Sequence, residues 1–203
     1  MKVLATAFTL VLMSPHSAQA DIVRLTPDLL QTVEALAAAA RQKNPANPTQ
    51  AANEFFNAFD AAFGTPSTSA TTVLVRKDLV VLFTTPLERL KGNYVDALRE
   101  LRDFPKTPDD RVILTIAPQT MGAPNIERVV LFHGDRQVPA VVDQLAPREF
   151  RNSFGAATRL GAGSVAYPPA VFDGTQPVRL LCFGDGRTVV EWTLSVADAK
   201  KVR

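Results

Sequence analysis

Histidine and cysteine, the residues most used for nucleophilic catalysis and zinc binding, are scarce in this sequence. Among 203 residues there are two histidines and one cysteine. His16 lies in an N-terminal targeting segment, which leaves His133 and Cys182 for the rest of the chain. A Ser-His-Asp or Cys-His site needs its imidazole beside the nucleophile, and catalytic zinc draws on several His or Cys ligands. We therefore expect no such site, no metal and no cofactor.

Acidic residues are more numerous, but none lies in a recognisable motif. The 20 Asp and Glu residues could supply an acid–base pair, for which Glu149 and Asp173 are the candidates. Acidic residues followed by glycine, as in Asp185-Gly186, lack the spacing of a calcium-binding loop and are typical of tight turns. The glycines also lack the Gly-x-Gly-x-x-Gly spacing of a nucleotide-binding loop. We predict a non-enzymatic chain, with a small carboxylate-dependent hydrolase as the alternative.

The first 20 residues have the pattern of a secretory signal peptide. Lys2 provides the positive start, an apolar run extends from Val3 to Met13, and Ala18-Gln19-Ala20 forms a cleavage pattern of small residues. The apolar run is shorter than the 20 or so residues that span a bilayer. We expect a periplasmic or secreted protein that does not insert into a membrane after cleavage.

The charge composition limits the classes of partner that we expect this protein to bind. The chain carries a net charge of only +2, with charges of both signs interspersed. A nucleic-acid-binding protein normally shows a basic stripe, and attachment to anionic lipid needs a cationic cluster. We therefore expect no nucleic acid and predict an envelope or secreted protein as the partner.

Residues 21–64 are predicted to form a helical hairpin. Thr26-Pro27 and Asn47-Pro48 each place a capping residue before a proline, which is typical of helix starts. The second helix carries phenylalanines at helical spacing, among them Phe55 and Phe59. Such a stripe is either a buried core face or a docking face for a partner, and the core interpretation is favoured.

Residues 71–203, beyond a polar linker, are predicted to form a β-rich domain. Short runs of β-branched and aromatic residues alternate with turn signals, and a helical insert is expected around residues 86–103, broken at Gly92. Asp185-Gly186 predicts a tight hairpin in which Phe183 faces Thr188 and Leu181 faces Val190. Cys182 lies in the first strand of this hairpin, so we expect a buried, unreactive thiol.

A second hairpin is predicted around His133. Residues 128–138 match residues 179–189 in the order Arg, aliphatic residues, Phe, turn and Arg, which indicates two hairpins of similar construction. Pro139 predicts that the returning strand lies at a sheet edge. We expect His133 in an exposed turn, where His133, Asp135 and Arg136 are candidate binding residues.

Ala146 to Pro169 lacks clear periodicity and is predicted to be the longest irregular segment. With short strands on both sides of it, the expected fold is α+β: the helical hairpin followed by an antiparallel β-sandwich with immunoglobulin-like layers and one helical insertion. The expected function is that of an exported, soluble binding or assembly module of a bacterial-type envelope. A small-molecule carrier with a cavity inside the sandwich is a further alternative.

Overall fold

The computed structural model describes residues 25–63, 73–105 and 109–199. Within these ranges the α-helices are α1 (Pro27–Lys43), α2 (Pro48–Phe63), α3 (Pro86–Arg99) and α4 (Val196–Ala199). The strands are β1 (Val73–Arg76), β2 (Leu79–Thr84), β3 (Val112–Pro118), β4 (Arg128–His133), β5 (Arg136–Val138), β6 (Val142–Asp143), β7 (Ala146–Arg151), β8 (Ala157–Tyr167), β9 (Val178–Gly184) and β10 (Arg187–Leu194). The predicted signal peptide and the polar linker lie outside the described residues.

The strands form two antiparallel sheets, as predicted. The first sheet has the order β1-β2-β3-β8-β6, with β7 also paired to β8. The second has the order β10-β9-β4-β5, which puts the strand before Pro139 at an edge, as its missing N–H requires. Apolar residues alternate along β2, β3 and β9, so each sheet presents one apolar face to a shared core. These layers are compatible with an immunoglobulin-like arrangement.

The core between the sheets is filled by large side chains. Phe83, Leu114 and Tyr167 of the first sheet share one buried cluster with Leu131 and Leu180 of the second. Phe172, from a short 3-10 helix after β8, closes this core and meets Phe83 edge to face at 5.8 Å. The fold is therefore α+β with a sandwich, as the sequence indicates.

The helices α1, α2 and α3 form a second apolar cluster. Phe55 packs between Phe59 and Tyr94, at 5.7 and 5.8 Å between ring centroids. Val33 of α1 and Leu98 of α3 belong to the same cluster. The inserted helix thus packs against the N-terminal hairpin and completes a three-helix bundle.

Capping residues explain where the helices begin. The Thr26 hydroxyl accepts a hydrogen bond from the Leu29 N–H at 3.3 Å. Thr85 and Glu88 form a reciprocal capping box at the start of α3. The predicted break at Gly92 is wrong, because α3 runs through this residue, whose missing side chain faces open space. The cost of glycine in a helix, about 1 kcal/mol, is offset by the buried face on either side of it.

The β9–β10 hairpin has the predicted turn but a different register. Asp185 and Gly186 both have positive φ angles, 52° and 72°, as a type I′ turn requires. Thr188 pairs with Phe183 as expected, but a bulge between Thr188 and Val190 places Val190 opposite Cys182. The predicted pairing of Leu181 with Val190 is wrong because the extra residue turns Val190 into the core, where it is 2% exposed.

The similarity between residues 128–138 and 179–189 has a structural counterpart. Strands β4 and β9 pair antiparallel, with Arg128 opposite Phe183 and Arg179 opposite Phe132. Each guanidinium lies over the facing ring, at 4.5 and 5.5 Å from the centroids. Equivalent positions of the two hairpins therefore make the same cation–π contact across the strand pair.

Ala146 to Pro169 is ordered β structure, and the prediction of an irregular segment is wrong. It contains β7 and the eleven-residue strand β8. The expected alternation is missing because both faces of β7 and of the start of β8 are largely exposed. Gly161 lies where β8 approaches another segment, since a Cβ there would be 1.6 Å from the Ile126 carbonyl oxygen. Here glycine permits close backbone contact and not an irregular chain.

No helix in the described ranges is long and apolar enough to cross a membrane.

Candidate functional site

His133 is the last residue of β4 and lies in a polar cluster with Asp173 and Thr175. Its side chain is 16% exposed, because the loop after β8 covers it, so the predicted exposed turn position is wrong. Nε2 lies 3.2 Å from Asp173 Oδ1 and 3.5 Å from the Thr175 hydroxyl. The Thr175 hydroxyl and N–H also donate to Asp173 Oδ1, at 2.6 and 2.8 Å.

This cluster has the residue types of a catalytic triad but a different geometry. In a triad the carboxylate holds one imidazole nitrogen and the nucleophile contacts the other. Here Asp173 and Thr175 both meet Nε2, and the Thr175 hydroxyl donates to the carboxylate. Burial acts to raise the pKa of Asp173, but the bonds from Thr175 and the charge of His133 outweigh it and lower this pKa. The arrangement anchors the loop after β8 to the end of β4, and it lacks the carboxylate–imidazole–hydroxyl order of a triad.

The other predicted binding residues lie in two separate parts of the fold. Asp135 and Arg136 are exposed in and beside the β4–β5 turn, next to His133. Phe55 and Phe59 are fully buried inside the helical bundle. The structure therefore groups the His133 turn residues together and places the two phenylalanines in a core.

Glu149 and Asp173 do not converge. Glu149 pairs with Arg159 across the β7–β8 hairpin, whereas Asp173 follows the far end of β8. Arg159 and Tyr167 are eight positions apart on this strand, or roughly 26 Å. Among the described carboxyl groups, Glu54, Asp109 and Asp173 have lowered pKa values, the direction opposite to that of a general acid.

Cys182 is fully buried in the core between the sheets. Burial raises the pKa of its thiol to about 12, so the reactive thiolate is scarce at neutral pH. The described residues contain no group of three or more His, Cys, Asp or Glu side chains placed to hold a metal.

Strand β7 and the first residues of β8 form a two-stranded arm, residues 146–159, at one end of the first sheet. Strand β7 pairs only with residues 157–162 of β8. The arm carries Arg148, Arg151 and Arg159 against a single acidic residue, Glu149, so its net charge is 3 − 1 = +2. Glu149 accepts a hydrogen bond from Arg151 Nε at 2.5 Å.

The tip of this arm presents an aromatic ring to solvent. Phe154 is 93% exposed, the highest value among the large apolar residues that lie at the surface. Asn152 holds the tip, because its Oδ1 accepts hydrogen bonds from the N–H groups of Phe154 and Ala156, both at 3.0 Å. In addition, the backbone N–H of Asn152 donates a hydrogen bond to the Ala156 carbonyl at 3.0 Å. The ring is thus displayed from a tip with a defined backbone.

A groove of about 590 Å³ lies in the helical bundle, between α1 and the chain that leaves α3. We call it the helical groove; its lining residues are Leu30, Glu34, Arg41, Tyr94, Asp103, Phe104 and Pro105. Arg41 Nη2 donates to the carbonyls of Ala97 at 3.3 Å and Arg102 at 2.7 Å, and its guanidinium lies 4.2 Å from the Phe104 centroid. Arg41 therefore caps the end of α3 and holds one wall of the groove.

Acidic and aromatic side chains both line this groove. The ring of Tyr94 stacks on Phe104, with 5.1 Å between centroids. Burial, and after it the negative charge of Glu34, raise the pKa of Tyr94, which shows that Glu34 acts on the tyrosine from α1. Asp103 is an exposed second carboxylate of the lining. The groove therefore combines apolar and aromatic side chains with two carboxylates and the Arg41 guanidinium.

Sequence reasoning missed both the arm and the groove. A signal for the arm exists, because Asn152 and Gly155 are turn residues between two short runs that contain Phe150 and Leu160. The groove has no comparable signal, since Leu30 and Phe104 are 74 positions apart in the chain.

Comparisons with protein-family models, curated proteins and solved structures find no significant match to this chain.

Proposed function

We propose that this protein is an exported, non-enzymatic binding or assembly module of the cell envelope or secreted fraction, and that the β7–β8 arm is its binding element. The observation that carries the proposal is Phe154, a ring that is 93% exposed on an ordered tip. Exposed aromatic residues beside arginines are typical of the residues that contribute most to protein–protein binding.

The construction of the tip supports this role. The Asn152 side chain fixes the backbone on both sides of the ring through two hydrogen bonds. A loop that is already ordered loses little conformational entropy when a partner binds. The arm also contributes little to the sandwich core, because most of its side chains are exposed.

The chemistry elsewhere in the molecule favours a binding role over the alternatives. In the His133 cluster the Thr175 hydroxyl donates to the Asp173 carboxylate, and both residues meet the same imidazole nitrogen, which is not the arrangement of a catalytic triad. The space between the sheets is occupied by buried rings and aliphatic side chains, which favours a surface partner over a ligand carried inside the sandwich. The predicted signal peptide supports an exported location.

Site-specific photo-crosslinking in the native envelope tests the proposal. A photoreactive phenylalanine analogue at position 154 is expected to give a discrete higher-mass adduct, because the ring lies in the interface. The matched control places the same analogue at Asp135, in another exposed hairpin turn. Adducts from position 135 alone would move the binding element to the His133 turn, and no adduct from either position would contradict the proposal.

A further inference from the structure

The arm and the helical groove are complementary in chemistry. The arm offers one exposed ring and a net charge of +2. The groove offers the apolar surfaces of Leu30 and Phe104 beside the carboxylates of Glu34 and Asp103. Among the described residues of its lining, Arg41 is the cation; it is bound to the carbonyls at the end of α3 and lies over Phe104.

The arm and the start of the inserted helix α3 lie at opposite ends of the first sheet. Strand β8 begins at Ala157 in the arm and ends at Tyr167, which pairs with Val112. Val112 begins β3, the strand that follows the inserted helix α3. Eleven residues of strand span roughly 33 Å, so the arm projects from the end of the sheet away from the bundle.

We infer that the arm of one molecule binds in the helical groove of a second copy of the same chain. This inference rests on the proposed function, since it uses the arm as the binding element and names its partner. Phe154 enters the groove against Leu30 and Phe104, and the arginines of the arm meet Glu34 and Asp103. A volume of about 590 Å³ accommodates a ring together with a guanidinium group.

An arm-to-groove contact joins two different surfaces, so it is heterologous. Such contacts propagate head to tail and produce either a closed ring or an open filament, according to the rotation between neighbours. One arm tip buries less area than a standard interface, and contacts below about 1,200 Å² are generally weak. Assembly is therefore expected to depend strongly on protein concentration and to weaken with salt.

Sedimentation velocity of the purified protein tests the inference over about 5 to 500 μM, a range that brackets a weak interface. The expected result is a sedimentation coefficient that rises with concentration in the parent. Phe154→Ser should reduce association at least tenfold. The control Phe56→Ser alters another exposed phenylalanine, in α2 and outside the groove, and should leave association unchanged. A parent that stays monomeric over the whole range would overturn the inference.

A charge-reversal pair makes the test specific for the two surfaces. Arg148→Glu with Arg151→Glu changes the arm from +2 to −2, since three acidic residues then face one arginine. Glu34→Lys with Asp103→Lys changes the summed charge of the described lining residues from −1 to +3, counting Arg41. Each double variant alone should remain monomeric, with an unchanged circular dichroism spectrum to show that it is folded.

Mixing the two double variants is the decisive measurement. In an equimolar mixture each arm meets a groove of opposite charge on the other variant, so association should return. Two variants that associate alone as strongly as the parent, or a mixture that stays monomeric while the parent assembles, would overturn the arm-to-groove contact.

Photo-crosslinking from position 154 separates failure of this inference from failure of the proposed function. An adduct of twice the chain mass, with its crosslink mapped to α1 or residues 101–105, supports the inference. An adduct with a different protein, in a chain that does not self-associate, overturns the inference and leaves the arm as the binding element. No adduct at all overturns both.

Discussion

The helical bundle and the sandwich are stabilised by different means. The bundle contains the two polar side chains that are buried among the described residues, Thr85 and Lys91, both at α3. Lys91 pairs with Asp60 of α2 at 2.5 Å and lies 3.2 Å above the Phe56 ring. The sandwich core is formed by apolar side chains, together with Tyr167 and Cys182.

Backbone contact distinguishes the two regions further. In the sandwich, Gly161 lies so close to the Ile126 carbonyl that no side chain fits, and Asn125 Oδ1 accepts a hydrogen bond from its N–H at 2.8 Å. In the bundle, Gly92 faces open space. The bundle thus depends on side-chain contacts between helices, whereas the sandwich also depends on close approach of its backbone segments.

The largest expected effect is loss of a bundle ring. Phe59→Ala removes a fully buried ring from between Phe55 and Phe63, and should lower the free energy of unfolding by about 3–5 kcal/mol. Urea denaturation measures the loss. The control is Phe56→Ala, which removes a ring that is 45% exposed and should cost less than about 1 kcal/mol. Equal losses for the two variants would show that the phenylalanine stripe is not the core of the bundle.

Two glycine-to-alanine variants compare the regions directly. Gly161→Ala should destabilise the protein by about 2–3 kcal/mol, because the new Cβ meets the Ile126 carbonyl. Gly92→Ala should stabilise it by about 0.5–1 kcal/mol, because alanine favours a helix and the space is open. Thermal and chemical denaturation of both variants checks the opposite signs. Effects of the same sign would contradict the contrast drawn between bundle and sandwich.

Substitutions in the β9–β10 turn should lower the stability of the protein more than substitutions in the neighbouring loops. Gly186→Val places a β-branched residue at a φ of 72° and should cost about 2 kcal/mol, measured as a lower midpoint of unfolding. Gly186→Asn is the control, since asparagine adopts positive φ more readily. A valine variant as stable as the parent would show that this turn does not fix the hairpin.

Asp109 links the two regions, and its removal should have a pH-dependent effect. It accepts hydrogen bonds from Arg111, and its Oδ2 lies 2.7 Å from Arg89 Nη2 of α3. The bond from Arg111 is the largest cause that lowers the pKa of Asp109, with Arg89 adding to it. Asp109→Asn should cost about 1–2 kcal/mol at neutral pH.

The sign of the pH dependence follows from the lowered pKa. Above the ordinary carboxyl value of 3.8 the ionised Asp109 stabilises the folded state, and this contribution is lost as the pH falls toward its lower native pKa. Stability of the parent should therefore decline more steeply than that of Asp109→Asn between about pH 5 and pH 2. The control is Asp110→Asn, an exposed neighbour. If the stability of the parent and of Asp109→Asn changed in parallel with pH, Asp109 would not stabilise the contact between the two regions.

The smallest expected effect is on Cys182, which should not react with thiol reagents in the native protein. Its burial and the pKa of about 12 both disfavour the thiolate. Labelling followed by mass spectrometry should show modification only under denaturing conditions. The same measurement on Phe59→Ala shows whether loss of the bundle opens the sandwich, since faster labelling there would mean that the two cores are coupled.

The local elements of this protein follow from short signals in its sequence. Thr26-Pro27, Asn47-Pro48 and Thr85-Pro86 mark where helices begin, because capping and proline geometry act within one helical turn. Asp185-Gly186 and Pro139 likewise identify a tight turn and an edge strand from the φ angles and N–H groups of single residues.

Features that depend on distant partners follow from how the elements pack against one another. The bulge beside Val189 brings Val190 into the core between the sheets, so the register predicted from the turn alone is wrong from Val190 onward. Gly161 is required because the carbonyl of Ile126, 35 positions away, leaves no space for a side chain. His133 is covered by a loop 40 positions away. Helix α3 packs with α1 and α2, although strands β1 and β2 separate it from them in the chain. The helical groove exists only because Leu30 and Phe104 meet in space. Contacts between residues so far apart depend on how the elements pack, and a local period or motif does not specify which distant segment a residue will meet.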